Sequence, residues 1–419
     1  MKQKIPIRVV QIISRFPSTM LQDAINDAPW VQRLSTMRRP LSITSESVLV
    51  GALERILLGR RISVSDGVKL YNEASLSGLS ALADMIKRSR HGGQIFFNEN
   101  LHVNTTNICT LACRFCAFRR GSRHSEAYAL SPDDFISRIE PFSESIDEVH
   151  AVGGLHPMWT VDDYANLFGK VKNRFPKISI KSLTAVEVKH IASRSGISTR
   201  RALQILRESG LDSLPGGGAE ILVDSVRDRI CRGKETSREY LEIHGEAHEL
   251  GIPTNCTMLF GTVETIEERM THLQLLREQQ DKTGGFQCFV PYPFLPDKTR
   301  LPEANIPSSD EVIRMIAISR IMLDNIPHLK AYRMNIGDHL ATVAILSGAD
   351  DIDGTVGREE IMHEAGSRVR TDYNRDQMAL LIESTGQIAV KRNTDYSYAM
   401  EYRTNVNNIR MELPIAEHG

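Results

Sequence analysis

From Asn100 to about Gly357 the chain alternates short β-branched or apolar runs with amphipathic helical stretches, and this rhythm limits its fold more than any other feature. Eight strand candidates stand out: HVNTTNI, EVHAVGG, ISIKSLTAV, LDSLPGG, IPTNCTMLFG, GFQCFVPYPF, LKAYRMNIG and DIDGTV. The stretches between them carry helix start signals. Ser131-Pro132-Asp133-Asp134, Thr160 with Asp163, Thr236 with Glu239, and Ser308-Ser309-Asp310-Glu311 place a capping oxygen and early acidic residues where orphan amides and the helix dipole favour them. Gly210, Gly251 and Gly284 follow amphipathic runs, as helix-terminating glycines do. Eight such units in about 260 residues predict an α/β fold, a closed parallel (β/α)8 TIM-type barrel, whose usual size is about 250 residues. An open doubly wound sheet would need a glycine-rich phosphate loop after its first strand, and that loop holds cysteines instead.

The flanks divide the 419 residues into three expected parts: a helical N-terminal prelude over 1–95, the barrel over 96–358, and a mixed α/β C-terminal extension over 359–419 that packs on the barrel. Residues 42–89 read as two or three helices, ended by His91-Gly92-Gly93. In the extension, EIMHEAGS and RDQMALLIESTG predict helices and IAVKRNT a short strand. The first 40 residues are basic, with Lys2, Lys4, Arg8, Arg15, Arg33, Arg38 and Arg39 against Asp23 and Asp27. Their apolar run from Ile5 to Ile13 is broken by Arg8 and Gln11 and lacks a small-residue cleavage site, which disfavours a secretory signal and leaves a transit peptide as the alternative. No run of about 18 apolar residues occurs, so no membrane insertion and a soluble, cytoplasmic protein are expected. With 51 basic and 52 acidic side chains the chain has no global field for polyanions, so nucleic acid is not an expected partner.

Three of the six cysteines, Cys109, Cys113 and Cys116, fall within eight residues directly after the first strand, at the face where barrel enzymes place their chemistry. Such bunching in a long chain reads as metal binding in a reducing compartment rather than as a disulfide framework. Three thiolates at C-x3-C-x2-C spacing can ligate three irons of a cubane and leave the fourth open to substrate. A structural zinc site would want a closed set of four. His102 or His124 could complete one, but no second C-x2-C pair accompanies the triplet. Electron-transfer ferredoxins ordinarily close every iron with cysteine. Cys231, Cys256 and Cys288 lack such spacing and read as inert small hydrophobes, and Met258 and Phe260 as barrel core.

The triplet, with aromatic Phe115 before its last cysteine, resembles the radical S-adenosylmethionine superfamily. Further segments narrow the resemblance to its futalosine-pathway branch of menaquinone biosynthesis: Cys116-Ala-Phe-Arg-Arg120, Val152-Gly-Gly-Leu-His-Pro157, KSLTAVEV from Lys181, Asp212-Ser-Leu-Pro-Gly-Gly-Gly-Ala-Glu220, Thr283-Gly-Gly-Phe-Gln287, and Asp350-Asp-Ile-Asp-Gly-Thr-Val356 followed by His363-Glu-Ala-Gly366. Within the branch, DIDGTV and TAVEV favour the aminofutalosine synthase family over the sister dehypoxanthine futalosine cyclases. The basic first 40 residues, Cys288 and Tyr292 depart from the pattern.

The resemblance implies a [4Fe-4S] cluster on Cys109, Cys113 and Cys116, with S-adenosylmethionine as consumed co-substrate and a flavodoxin- or ferredoxin-type protein as electron donor. The implied transferase reaction adds the 5'-deoxyadenosyl radical to the vinyl carbon of the small carboxylate 3-[(1-carboxyvinyl)oxy]benzoate, giving 6-amino-6-deoxyfutalosine, methionine and a released one-carbon fragment, CO2 or bicarbonate. It places Phe115 near the adenine, and the backbone of Gly153 and Gly154 near the amino group of S-adenosylmethionine; an ordinary loop anchor and a strand-end turn are the plain readings. Gly216, Gly217 and Gly218 suggest close backbone approach to a ligand. Glu187 and Glu220 are candidates for ribose hydroxyls or a proton relay, with helix capping competing for Glu220. His156 could donate to a carboxylate or shuttle a proton, or be structural. Arg119, Arg120, Lys181 and Arg333 are the basic residues nearest strand ends, where the substrate carboxylates would find partners; surface ion pairs are the default for any one of them.

Overall fold

Residues 28–405 are described by a computed structural model; most of the basic leader and its transit-peptide alternative lie outside them. Among the described residues there are eleven strands: β1 (Gln94–Asn98), β2 (Asn100–His102), β3 (Glu148–Ala151), β4 (Ser179–Ser182), β5 (Leu211–Ser213), β6 (Thr254–Phe260), β7 (Phe286–Pro293), β8 (His328–Leu329), β9 (Asp351–Gly354), β10 (Ile388–Arg392) and β11 (Ala399–Glu401). The eight strands expected from the sequence are β2 to β9, most of them shorter than the apolar runs that announce them. They follow one another in parallel as two ladders, β2-β3-β4-β5 and β6-β7-β8, with β9 beyond. Single bridges join the pieces, Leu214 to Thr254 and Lys330 to Asp351, and the His102 N–H donates to Val356 O at 2.9 Å to return from β9 to β2. This is the order of a TIM-type barrel, with thin seams between its ladders.

The predicted caps are in place. Ser131 with Asp134, Thr160 with Asp163, Thr236 with Glu239 and Ser308 with Glu311 form reciprocal capping boxes at the starts of the helices that follow β2, β3, β5 and β7. Strand alternation decides what each side chain meets. On β6, Asn255, Thr257 and Leu259 face the central cavity, whereas Cys256, Met258 and Phe260 are fully buried, and Arg269 of helix Ile266–Thr283 lies 5.2 Å from the Phe260 ring.

The N-terminal helices, among them Ser47–Leu57, Val64–Glu73 and Leu76–His91, pack outside the barrel against helix Ser309–Met322 and its neighbours. Buried Arg61 locks them there, reaching Asp281 at 2.8 Å and Asp324 at 3.0 Å. Strand β1 crosses the boundary expected at 95/96. It pairs in parallel with both β9 and β10, and antiparallel β11 closes that second sheet. Only Glu99 separates β1 from β2, and its carboxylate is gripped by Arg375 at 2.8 Å and Lys391 at 2.5 Å, both from the C-terminal extension.

Candidate active site

The loop after β2 carries the three cysteines and is tied on all sides. Within it, the Cys109 N–H donates to Arg120 O at 3.1 Å and the Arg120 N–H to Asn107 O at 2.7 Å. From outside, the Thr110 N–H reaches Leu155 O at 3.1 Å, the Gly154 N–H donates to Thr106 O at 2.7 Å, the Arg114 N–H reaches Ile230 O at 2.8 Å, and the Arg300 guanidinium donates to Ala112 O at 2.8 Å. A side chain at Gly154 would overlap the Ile108 carbonyl, so that glycine is what lets β3 lie against the loop.

All three thiols are free, half-buried, and line one central cavity of about 300 Å³. Burial pushes the Cys113 thiol up to about 12 and raises Cys116 as well, although the N–H groups of Arg119 and Phe118 favour the Cys116 thiolate. Among the described residues one group of three has ligand atoms all within 4.8 Å of one another, His91, His328 and Asp350; the cysteines do not form such a group. A single tetrahedral zinc needs sulfurs about 3.8 Å apart, given Zn–S near ~2.3 Å. The wider spread of three thiols around an open cavity fits a cluster instead. The His91 group lies at the opposite, N-terminal end of the strands. Its carboxylate already accepts from Arg320, from the Leu329 N–H at 2.7 Å and from His328 Nδ1 at 2.6 Å, so it serves as an anchor.

The expected cofactor residues gather on the cysteine side. Phe115, Gly153, Gly154, Gly217, Gly218 and Glu220 all line the cavity. Gly216 instead packs against β6 at φ +83°, and its carbonyl accepts from Tyr240 at 2.6 Å and Thr257 at 2.9 Å. Glu187 is buried with both oxygens occupied: one accepts the Gly153 N–H at 2.9 Å, the other the Thr184 N–H and hydroxyl, each at 2.7 Å. Burial raises its carboxyl to about 7 against the pull of these donors. Its position is that of a strut between β3 and the helix Ala185–Arg194.

Across the cavity lies a polar floor of which the sequence reading singled out only Lys181 and, for a zinc site, His102. Lys181 of β4 pairs with Glu148 of β3 at 3.1 Å, both about 2% exposed. His102 stacks on His150 with centroids 4.3 Å apart, and its Nδ1 lies 3.3 Å from Glu359, which also accepts from Tyr332 at 2.6 Å. Burial opposes charge on His102, but the Glu359 hydrogen bond and the Asp353 and Glu148 carboxylates outweigh it and hold the imidazole above its ordinary range. Lys330 contacts Asp353, which sits at φ +72°. The side-chain oxygens of Asn255 and Asn335 are buried at the cavity without a protein partner, an arrangement that calls for a ligand or water.

Besides Gly216 and Glu187, three more expected residues are not brought to this cavity. His156 stacks on Trp159 outside it, with centroids 4.6 Å apart. Arg333 is 1% exposed and directed away, donating to Asp338 at 3.0 Å and to Arg370 O at 3.1 Å, over the Tyr373 ring. Arg120 pairs with Glu126 and Glu364, both at 2.9 Å. Of the four basic candidates only Arg119 and Lys181 line the cavity, joined by Lys330 and Lys234.

A parallel α/β barrel with three cysteines opening into its centre defines a radical-generating iron–sulfur enzyme class. The Radical SAM superfamily model matches residues 103–276 and the CofH/MqnC C-terminal region residues 283–406. Over 353 residues the chain is 37% identical to an aminodeoxyfutalosine synthase of Thermus thermophilus, covering 83% of this chain and 95% of that one. It is 33% identical to a cyclic dehypoxanthine futalosine synthase of Streptomyces coelicolor over 87% of this chain and 92% of that one. It is 35% identical to a 5-amino-6-(D-ribitylamino)uracil–L-tyrosine 4-hydroxyphenyl transferase of Methanoculleus marisnigri, over 82% and 96%. The methylornithine synthase structure shares the fold, with TM-score 0.62 at 16% identity over 80% of this chain and 96% of that one. The chain therefore belongs to the radical S-adenosylmethionine superfamily, in the group that carries a CofH/MqnC C-terminal region. It is an enzyme whose cofactors are a [4Fe-4S] cluster and S-adenosylmethionine. Among the described residues no helix is long and apolar enough to cross a membrane.

Proposed function

We propose that the chain is an aminofutalosine synthase, and the observation that carries this is the two-sided cavity: thiols on one wall, buried cations on the other. Cys109, Cys113 and Cys116 would hold the cluster, which when bound would supply the electron for reductive cleavage of S-adenosylmethionine. Phe115, the Gly153-Gly154 backbone, Gly217, Gly218 and Glu220 surround the adenosyl group. The benzoate and enol-ether carboxylates take Lys181, Lys330 and Arg119, while Asn255, Asn335 and Tyr292 supply neutral donors and acceptors. Glu187 acts by holding Gly153 in place, and His156 and Arg333 act outside the cavity as supports. The barrel excludes water from a carbon radical held close to a vinyl carbon. A flavodoxin- or ferredoxin-type protein supplies electrons. The alternative is the cyclase reaction, after which the 33% identical Streptomyces relative is named.

Product analysis separates the two. Anaerobic incubation with S-adenosylmethionine, a strong reductant and 3-[(1-carboxyvinyl)oxy]benzoate should yield a product retaining the adenosyl carbons, read by mass spectrometry as 6-amino-6-deoxyfutalosine. No adduct here, together with free 5'-deoxyadenosine and ring closure on dehypoxanthine futalosine, establishes the cyclase instead.

A further inference from the structure

Lys234 is a buried cation that the family resemblance gives no role. Its side chain is 7% exposed and follows the helix Asp224–Ile230, whose end supports the cysteine loop through Ile230 O. The ammonium contacts the Glu220 carboxylate and sits 5.7 Å from the centroid of the Phe115 ring, within the cavity lining. A cation over an aromatic face is attracted to the ring quadrupole, and this fixes Lys234 above the loop that carries Cys113 and Cys116. The surrounding charges favour one arrangement. Glu235, paired with Arg227 at 3.3 Å, also acts on the Lys234 charge, but Glu220 is the carboxylate that the ammonium contacts, and no other lysine or arginine ion-pairs with Glu220 among the described residues.

We propose that Lys234 is a positioning residue for the cluster: its ammonium, held by Glu220 and the Phe115 ring, is the fixed counter-charge that eases entry of an electron at the three-cysteine site. A reduced cluster carries one more negative charge than the oxidised one. In a low-dielectric corner a neighbouring cation stabilises that extra charge and an anion opposes it. Lys234 and Glu220 therefore act on the same equilibrium with opposite sign.

The inference rests on the cluster that the family supplies, and its test reads the cluster rather than turnover. The full-length protein is reconstituted anaerobically without S-adenosylmethionine, and its midpoint potential is measured by EPR-monitored titration with an external one-electron reductant. Lys234→Gln should titrate at a lower potential than the wild type, Glu220→Gln at a higher one, and Lys234→Arg close to the wild type. Unmoved midpoints, or Gln variants that shift in the same direction, overturn the proposal. If Lys234→Gln folds by circular dichroism but loses iron, Lys234→Arg must restore the iron content, and failure to do so overturns it as well. If Lys234→Gln does not fold, the sign of the Glu220→Gln shift decides. A wild-type protein that holds no cluster at all contradicts the family assignment instead, and is seen before any variant is made.

Discussion

A single hydrogen atom in place of a methyl group at residue 154 sets how closely the second barrel strand can approach the cysteine loop. The Gly154 N–H and the missing side chain do complementary jobs: one binds Thr106 O, the other leaves room for the Ile108 carbonyl and the Cys109 side chain. Gly154→Ala should displace the loop at a cost of about 1–3 kcal/mol, the usual range for overpacking. After anaerobic reconstitution its iron content should fall clearly below the wild type's, with the circular dichroism unchanged; full iron loading would show that the loop yields without loss. The VGGLH segment thus combines packing with chemistry. A sequence distinguishes these poorly, because a glycine beside a ligand and a glycine beside a backbone look alike.

At the scale of elements, strands were legible and their inward faces were not. The eight apolar runs mark β2 to β9 because β-branched and aromatic residues recur between capped helices. Of the cavity cations, Arg119 and Lys181 stand out from their places near strand ends, whereas Lys330, one residue beyond β8, looks like an isolated interruption and Lys234 lies in a loop far from any strand end. Arg333 stands three residues beyond Lys330, in the short helix Arg333–Ile336, which turns its guanidinium to Asp338. A polar residue at alternate strand positions, as in His102 with Asn104 or Asn255 with Thr257, was the usable signal. One pairing between elements makes a pH prediction. His272 of helix Ile266–Thr283 accepts the Leu222 N–H at Nδ1 and donates from Nε2 to Thr257 O, both at 3.0 Å, so it is fixed as the neutral imidazole. Burial lowers it to about 3. The unfolded chain takes up a proton near pH 6.5 that the folded chain refuses, so this contribution is complete above pH 6.5 and is lost as pH falls towards 3. Between pH 6 and 4 it should weaken folding by at most about 1.4 kcal/mol per pH unit. Denaturant melts at several pH values should show a shallower acid slope for His272→Gln than for the wild type; equal slopes would assign the acid loss to other groups.

At the scale of the whole molecule, the chain's two flanks are one structure. β1 lies between β9 of the barrel and β10 of the extension, and Arg375 and Lys391 hold Glu99 at the step from β1 into β2. No local pattern announces such a pairing, since the partners are almost three hundred residues apart. A chain ending at residue 386 would leave β1 with an open edge and uncover Phe97 and Ile95, both fully buried. It should aggregate and lose protease resistance, measured by light scattering and limited proteolysis; a monomeric, resistant truncation would make the extension dispensable for folding.

The short step at Glu99 also has a temporal meaning. The cysteines leave the ribosome long before Lys391 and β10 are made. β1, one residue ahead of the strand that leads into the cysteine loop, therefore has both neighbours only once β10 is made. A chain halted before β10 is made would present the thiols behind a strand that lacks one of its two neighbours.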